Sequence, residues 1–179
     1  MKCSKKFVEL DKIFHDRNSF DCGFEELNTF LQQHAFRHMK VGVSKTMVLP
    51  AIKQLSNRKY PICSFYTVAP SSIQRSSLPQ NLSKKLPHYP IPVFLIAQLA
   101  VNTKVQGQQL GKITLVKALE FLWQVSTQLH AYAVVVDCLN KSVESFYQKY
   151  GFHHLCMTQD KIRMFLPMKT VARLFEIEE

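Results

Sequence analysis

Residues 105–112 are the segment whose residue types and spacing best suit a chemical role. The segment holds Gly107 and Gly111, and it lies between an apolar run at 93–101 and a helical pattern at 112–128. A strand, a short glycine-bearing loop and a helix together direct backbone N–H groups and a helix N-terminus at a phosphate. Glycine also lets the backbone approach a ligand closely. This pattern predicts a phosphate-binding turn, although many glycine turns before helices are plain connectors.

Two blocks of the sequence resemble the GNAT acetyltransferases. Gln106 and Gly111 match the first and last fixed positions of that superfamily's pyrophosphate-binding pattern, Gln/Arg-x-x-Gly-x-Gly/Ala. Gln109 departs from the pattern, because it stands where the middle glycine belongs. If that position needs a positive φ, glutamine costs roughly 1 kcal/mol there. Further on, Asn140 and residues 146–152 resemble the superfamily's last helix and the strand after it.

Other blocks resemble one subgroup, the GNAT toxins of bacterial toxin–antitoxin modules, which acetylate the amino group of aminoacyl-tRNA. They occur in the subgroup's order between about residues 5 and 175 and comprise 15–23, 27–31, 64–67, 86–93 and 163–168. The resemblance implies a mixed α/β (α+β) fold. Its mostly antiparallel sheet has about six or seven strands, with helices on its faces and splayed central strands. Length favours a single domain over residues 1–179.

The resemblance also implies a cofactor, partners and a set of site residues. The cofactor is acetyl-CoA, and the partners are aminoacyl-tRNA, a ribbon-helix-helix antitoxin and a second copy of the chain. Backbone groups on the strand before the loop would contact the pantetheine, and the loop would hold the pyrophosphate. The cofactor-binding residues implied in this way are Leu99, Ala100, Val101, Gln106, Gly107, Gln108, Gln109, Leu110, Gly111, Lys112, Asn140 and Phe146.

Tyr147 is the candidate catalytic residue. By resemblance it matches the tyrosine that the toxin subgroup places after a phenylalanine on the last helix. A phenol with a pKa near ~10 stays protonated at neutral pH and can protonate a departing thiolate. From residue type alone, packing beneath the sheet explains Tyr147 as well, and it remains our interpretation of Tyr150.

No carboxylate stands out as a general base. Asp137 ends a strand and Glu144 lies within the last helix, so each is expected to be solvated or to cap an element. An α-amine titrates near ~8, so part of it is already neutral at physiological pH, whereas a lysine near ~10.4 needs more help. The lack of an obvious base therefore favours an α-amine substrate.

The positive charge of the chain is unevenly placed. The formal net charge is +10, and no Asp or Glu lies between Glu26 and Glu120. Such a run suggests a polyanionic partner, since phosphates attract lysine and arginine and release counterions. The residues predicted to bind tRNA are Arg37, Lys40, Lys45, Lys84 and Lys85. A basic surface without a specific partner is the alternative.

Composition argues against disulfide-bonded, membrane-spanning and metal-binding proteins. Five cysteines without a C-x-x-C pair indicate reduced thiols in a cytoplasmic protein. No apolar run approaches the ~18–20 residues of a membrane span. His34 and His38 lie one helical turn apart, but no third ligand is evident, so no metal site is predicted.

Two other functions stay open. One is an ordinary GNAT enzyme that acetylates a protein or a small amine. The other is a catalytically inactive GNAT-like module that binds RNA or a protein. The pattern of apolar residues predicts strands at 6–10, 46–49, 52–55, 60–68, 93–101, 133–138, 153–156 and 163–168. It predicts helices after an N-cap at Asp21 and at 112–128, 141–150 and 170–175, with a long proline-rich loop or short helices at 70–92.

Overall fold

A computed structural model describes residues 1–176 and shows a mixed α/β protein. The described residues form an eight-stranded, mostly antiparallel sheet with helices on its faces, which confirms the predicted fold class. The chain divides into two compact units. Unit 1 comprises Met1–Ala69 and Ala97–Ala118, and unit 2 comprises Pro70–Ile96 and the chain from Leu119 onward. No helix among the described residues has the length and apolar character needed to cross a bilayer.

Unit 1 holds the N-terminal elements, the first part of β4, the end of β5 and the start of α4. These elements are β1 (Val8–Glu9), β2 (His15–Asp16), α1 (Glu25–Thr29), a π-helical turn (Phe30–His34), α2 (Ala35–Lys40), β3 (Lys45–Pro50), β4 (Tyr60–Ile73), β5 (Ile91–Val101), a 3₁₀ turn (Thr103–Val105) and α4 (Leu110–Ser126). The strands β1 and β3 pair antiparallel, as do β3 and β4, with Met47 opposite Tyr66. β2 adds a short parallel pairing to β4, with His15 opposite Tyr60.

The core of unit 1 lies between its strands and its first helices. Apolar residues at helical spacing place Leu31 and Ala35 in a buried cluster with Phe20, Val48 and Phe65. The rings of Phe20 and Phe65 meet edge to face, with 5.3 Å between their centroids. Burial of this face holds α1 and α2 in place, since isolated helices of five or six residues are unstable in water.

Two sequence-based expectations for unit 1 are wrong. Asp21 does not cap α1, because Phe24 is the N-cap residue and makes no side-chain cap bond. The Asp21 carboxylate instead accepts hydrogen bonds from the Gly23 N–H and the Asn28 amide. Residues 52–55 are not a strand: Ile52 and Leu55 are exposed, and this stretch leads into a turn in which Leu55 N–H bonds Lys59 O.

Unit 2 holds the rest of the chain. Besides its parts of β4, β5 and α4 it contains a 3₁₀ turn (Arg75–Ser77), α3 (Gln80–Ser83), β6 (Ala133–Cys138), α5 (Lys141–Lys149), β7 (His153–Thr158), β8 (Lys161–Pro167) and α6 (Met168–Phe175). Its strands are ordered β5-β6-β8-β7. β6 and β8 pair antiparallel along their whole length, from Ala133 opposite Pro167 to Cys138 opposite Ile162.

The parallel pairing of β5 with β6 is short. It joins Phe94–Ile96 to Val134–Val136, three residues from each strand. β5 continues to Val101, so its last five residues lie beyond the paired segment. This short pairing agrees with the splayed central strands that the resemblance implies.

Candidate active site

The glycine loop, residues 106–112, follows a well-anchored turn at the end of β5. Asn102, only 3% exposed, accepts a hydrogen bond from the Lys104 N–H and donates one to the Ile62 carbonyl at 3.2 Å. Its own N–H bonds the Cys63 carbonyl at 2.8 Å. These bonds fix the end of β5 against β4. Residues 106–109 then run over the surface, and α4 begins at Leu110.

Two residues of the loop have a left-handed backbone. Gly107 has a φ of +78° and Gln109 a φ of +59°. Gln109 stands at the position of the pattern's middle glycine, and its φ shows that the backbone at this position is indeed left-handed. Gln109 adopts this conformation at a cost of roughly 1 kcal/mol. Replacing the pattern's glycine with Gln109 therefore strains the backbone but does not change the turn of the loop.

The turn leaves the start of α4 open for an anion. The Gln109 carbonyl accepts the Ile113 N–H at 3.1 Å, so Leu110, Gly111 and Lys112 are the first three residues of the helix. The N–H groups of a first helical turn have no acceptor within the helix and carry the positive end of its dipole. An exposed loop with these groups at its end fits a pyrophosphate.

The Gln106 side chain is hydrogen-bonded within the protein. Its amide nitrogen donates to the Val101 carbonyl at 2.9 Å and to the Cys22 carbonyl at 3.1 Å. The side chain thus ties the loop to its own strand and to the segment before α1. We interpret Gln106 as a residue that shapes the loop, while contact with a ligand would come from the exposed Gln108 and the backbone.

The three strand residues implied in cofactor binding lie on the part of β5 beyond its pairing with β6. Ala100 is buried, whereas Leu99 and Val101 are half-buried. The Val101 side chain packs on a cluster that includes Cys63, Val105 and Leu110. Strand and loop therefore share one apolar support within unit 1.

Tyr147 lies in unit 2, on α5, in an aromatic cluster. Its ring meets those of Phe146 and Phe152 edge to face, each at 5.2 Å between centroids. Tyr147 is 7% exposed, and within residues 1–176 its hydroxyl has no hydrogen-bond partner. Burial, and to a smaller extent the nearby Cys138, raises the pKa of Tyr147 well above its usual value. The phenol thus stays protonated, and its hydroxyl is free to donate a proton.

Asn140 positions the helix that carries this tyrosine. Its side-chain oxygen accepts the Val143 N–H at 3.0 Å and so caps α5, as predicted. Gly151, with a φ of +88°, follows the end of α5. Phe146 is half-buried and packs against Tyr150 at 5.0 Å, which agrees with a packing role for Tyr150.

The two carboxylates considered as bases are both engaged. Asp137 forms a bidentate ion pair with Arg163, with two N···O distances of 2.7 Å. The Glu144 carboxylate accepts the Gln148 amide within α5. Burial raises the pKa of Cys138 to about 11, so this thiol is not a nucleophile at neutral pH. The Asp137–Arg163 pair could not be found from sequence, because it depends on the register of β6 and β8.

The basic residues predicted to bind tRNA differ in their surroundings. In unit 1, Arg37 and Lys40 are exposed on α2, but Lys45 forms an ion pair with Glu9 and is not a free cation. In unit 2, Lys84 and Lys85 are exposed directly after α3. Lys45 is therefore the weakest member of the predicted set.

Two other features bear on what the site can do. Unit 2 has a cavity of about 790 Å³ lined by Leu82, Lys85, Trp123 and Tyr132 among others. Tyr132 and Asn140 flank opposite ends of β6, so this cavity is not at the end of the strand where Tyr147 lies. Within residues 1–176 no three His, Cys, Asp or Glu side chains are grouped as metal ligands.

Comparison with known proteins supports the resemblance to the GNAT toxins. No family model matches the chain. It is 27% identical over 159 residues to a tRNA-acetylating toxin of Mycobacterium tuberculosis, covering 89% of this chain and 90% of that one. It is 27% identical to a probable toxin, TacT, of Sinorhizobium fredii, covering 96% of both chains.

Solved structures show the same fold. A mutant of KacT superposes with a TM-score of 0.86 at 26% identity, covering 98% of this chain and 100% of KacT. AtaT complexed with acetyl-methionyl-tRNAfMet gives 0.83 at 28% identity, covering 96% and 99%. AtaTR bound with acetyl-CoA gives 0.81 at 27% identity, covering 96% and 98%. In sequence and in fold, the chain is thus similar to GNAT-like toxins of type II toxin–antitoxin systems.

Proposed function

We propose that this protein is an acetyl-CoA-dependent N-acetyltransferase toxin that acetylates the α-amino group of aminoacyl-tRNA and thereby blocks translation. The observation that carries the proposal is the geometry of the glycine loop. Gln109 takes the positive φ of the missing glycine, so the turn in front of α4 keeps the form that suits a pyrophosphate.

Binding of the cofactor would be divided between strand and loop. The N–H groups of Leu110, Gly111 and Lys112 would hold the pyrophosphate, and the exposed residues Gly107 and Gln108 would border it. The backbone of Leu99, Ala100 and Val101 would accept the pantetheine, since these residues lie beyond the β5–β6 pairing. By the resemblance alone, Asn140 and Phe146 would also bind the cofactor.

Acetyl-CoA supplies a thioester whose carbonyl carbon is attacked by the amine and whose sulphur leaves and takes up a proton. Tyr147 would donate that proton from its unpartnered hydroxyl. Because burial raises the pKa of Tyr147, the phenol remains protonated at neutral pH but is a reluctant acid. Its proton must therefore move as the carbon–sulphur bond breaks, when the sulphur is most basic.

The acceptor is inferred from the missing base. Asp137 is held by Arg163, and Glu144 bonds Gln148 within α5, so neither is placed to deprotonate a lysine. An α-amine near ~8 is partly neutral without help. The relatives named as tRNA-acetylating point to the same acceptor, and the exposed Arg37, Lys40, Lys84 and Lys85 would bind the phosphates of tRNA.

The wider setting is also a proposal. A cognate antitoxin of the ribbon-helix-helix class would bind the protein, and a second copy would complete a homodimer. The enzyme would act in the cytoplasm, where charged tRNA is found, and the chain would fold as the single domain expected from its length.

An acceptor panel tests this function. Labelled acetyl-CoA is offered with charged tRNA, with the same tRNA after deacylation, with peptides bearing free N-termini, and with small amines. We expect label only on charged tRNA. Label on peptides or amines alone would make the protein an ordinary acetyltransferase, and no transfer to any acceptor would favour a catalytically inactive module.

A further inference from the structure

The segment Asp21–Gly23 lies against the connection between β5 and α4 in unit 1. The Thr103 N–H donates to the Asp21 carbonyl at 2.8 Å. The Gln106 amide donates to the Cys22 carbonyl at 3.1 Å. These two bonds join the connection to the segment before α1, in addition to the bonds of Gln106 to Val101 and of Asn102 to β4. The position of the glycine loop therefore depends in part on this segment.

Asn28 on α1 holds the other side of the same segment. Its side-chain oxygen accepts the Cys22 N–H at 2.9 Å, and its side-chain nitrogen donates to the Asp21 carboxylate at 2.9 Å. The Cys22 backbone thus links the two sides, because its N–H donates to Asn28 and its carbonyl accepts from Gln106. Asn28 is only 8% exposed and Cys22 is buried, so loss of Asn28 leaves the Cys22 N–H without an acceptor, whereas the Asp21 carboxylate is exposed to water.

The segment itself leaves little freedom for another arrangement. Cys22 is buried in the core cluster with Phe20 and Leu31. Gly23 has a φ of +84°, and a methyl group there would lie 3.8 Å from the Thr103 side chain. The Asp21 carboxylate also accepts the Gly23 N–H at 2.9 Å. Asn28 is the side chain that joins this turn to α1.

We propose that Asn28 is a positioning residue for the glycine loop, acting through the Asp21–Gly23 segment and Gln106. This inference rests on the proposed function only in taking acetyl-CoA as the ligand of the loop. A change at Asn28 frees the Cys22 peptide, which then no longer fixes Gln106 and Thr103. The loop samples other conformations, and its affinity for acetyl-CoA falls while the chemical step stays intact.

The first readout does not require a ligand. Amide hydrogen exchange is measured over 103–112 in the wild type and in Asn28→Ala. We expect faster exchange in this segment of the variant. The matched control is Gln32→Ala, because the Gln32 amide bonds the Phe20 carbonyl at 3.1 Å, one residue before the segment, without a link to the loop. Gln32→Ala should leave exchange at 103–112 unchanged.

The second readout is the affinity for acetyl-CoA, titrated without tRNA. Asn28→Ala should weaken binding about tenfold, the effect of one or two lost buried hydrogen bonds. In acetylation assays the KM for acetyl-CoA should rise while kcat at saturation changes little. Asn28→Asp should weaken binding too, since it places two carboxylates together. Asp21→Ala keeps the bond between the Cys22 N–H and Asn28 and should therefore weaken binding less than Asn28→Ala.

The outcomes separate this inference from the proposed function. Unchanged exchange at 103–112 in Asn28→Ala, or an equal increase in Gln32→Ala, would overturn the positioning role. If Asn28→Ala folds poorly, exchange at 103–112 in Asn28→Asp decides the same question, and unchanged exchange there counts against the role. A wild type that binds no acetyl-CoA would overturn the proposed function, while the exchange data would still decide the role of Asn28.

Discussion

The glycine loop in unit 1 and the tyrosine cluster in unit 2 are built in opposite ways. The loop is exposed, and its fit to a pyrophosphate comes from backbone angles and from the open N–H groups at the start of α4. Tyr147 is buried among aromatic rings, and its contribution is a single hydroxyl. A backbone site tolerates an unusual side chain such as Gln109 if the angles are kept. A side-chain site tolerates no loss of the reacting atom.

The largest effect is expected when the glycine loop is blocked. Gly111→Arg places a long side chain beside the first N–H groups of α4, so we expect acetyl-CoA binding to be lost. Val116→Arg adds the same side chain at an exposed position further along α4 and should bind normally. Calorimetric titration of both variants checks this. Normal binding by Gly111→Arg would show that the pyrophosphate lies elsewhere.

Also in unit 2, the ion pair between Asp137 and Arg163 should matter for stability more than for chemistry. Arg163→Met leaves the half-buried Asp137 carboxylate without its partner, and we expect a loss of roughly 2 kcal/mol in the free energy of unfolding. Urea denaturation measures it. An unchanged midpoint would mean that solvent replaces the guanidinium without cost.

The lysines proposed to bind tRNA belong to neither region, so their charges should affect tRNA binding alone. Replacing Lys84 and Lys85 by glutamate should weaken tRNA binding about tenfold and lower the log–log salt slope by about two. Acetyl-CoA affinity should not change. The control, Lys2→Glu with Lys5→Glu, alters net charge equally with exposed lysines outside the acid-free run. Filter binding at two salt concentrations separates them, and equal effects would indicate a non-specific surface.

The smallest expected effect concerns the strained residue of the loop. Gln109→Gly removes the cost of a positive φ and should stabilise the protein by up to about 1 kcal/mol, with acetyl-CoA affinity retained. Gln108→Gly, at a position without a positive φ, should give no gain. Thermal unfolding of both variants is the measurement. A gain from Gln108→Gly as large as from Gln109→Gly would argue against local strain.

Local patterns predicted the elements well where burial and end signals agree. The apolar run at Ala133–Cys138 is a strand with the predicted bounds, and α5 starts after the predicted cap Asn140 and ends one residue before the predicted end. The strand predicted at 52–55 was wrong because its two apolar residues, Ile52 and Leu55, are exposed. β2 was missed because two residues paired to a distant strand leave no periodic signal.

The sequence predicted the site only where the residues involved are close together in the chain. Whether the position of Gln109 has a positive φ could be posed as a question from the sequence, and the structure answers it. The bonds of Gln106 to Cys22, and of Asn28 behind it, join residues far apart in the chain. No spacing rule reveals such contacts. The unpartnered state of the Tyr147 hydroxyl is likewise a property of the packed cluster.

The most direct test of the account uses Tyr147→Phe, which keeps the ring and removes only the hydroxyl. Acetyl-CoA affinity and transfer of label to charged tRNA are measured on the same preparations of variant and wild type. The account predicts an unchanged dissociation constant and a transfer rate roughly 10²–10⁴-fold lower. A variant that transfers acetyl groups as fast as the wild type would contradict it.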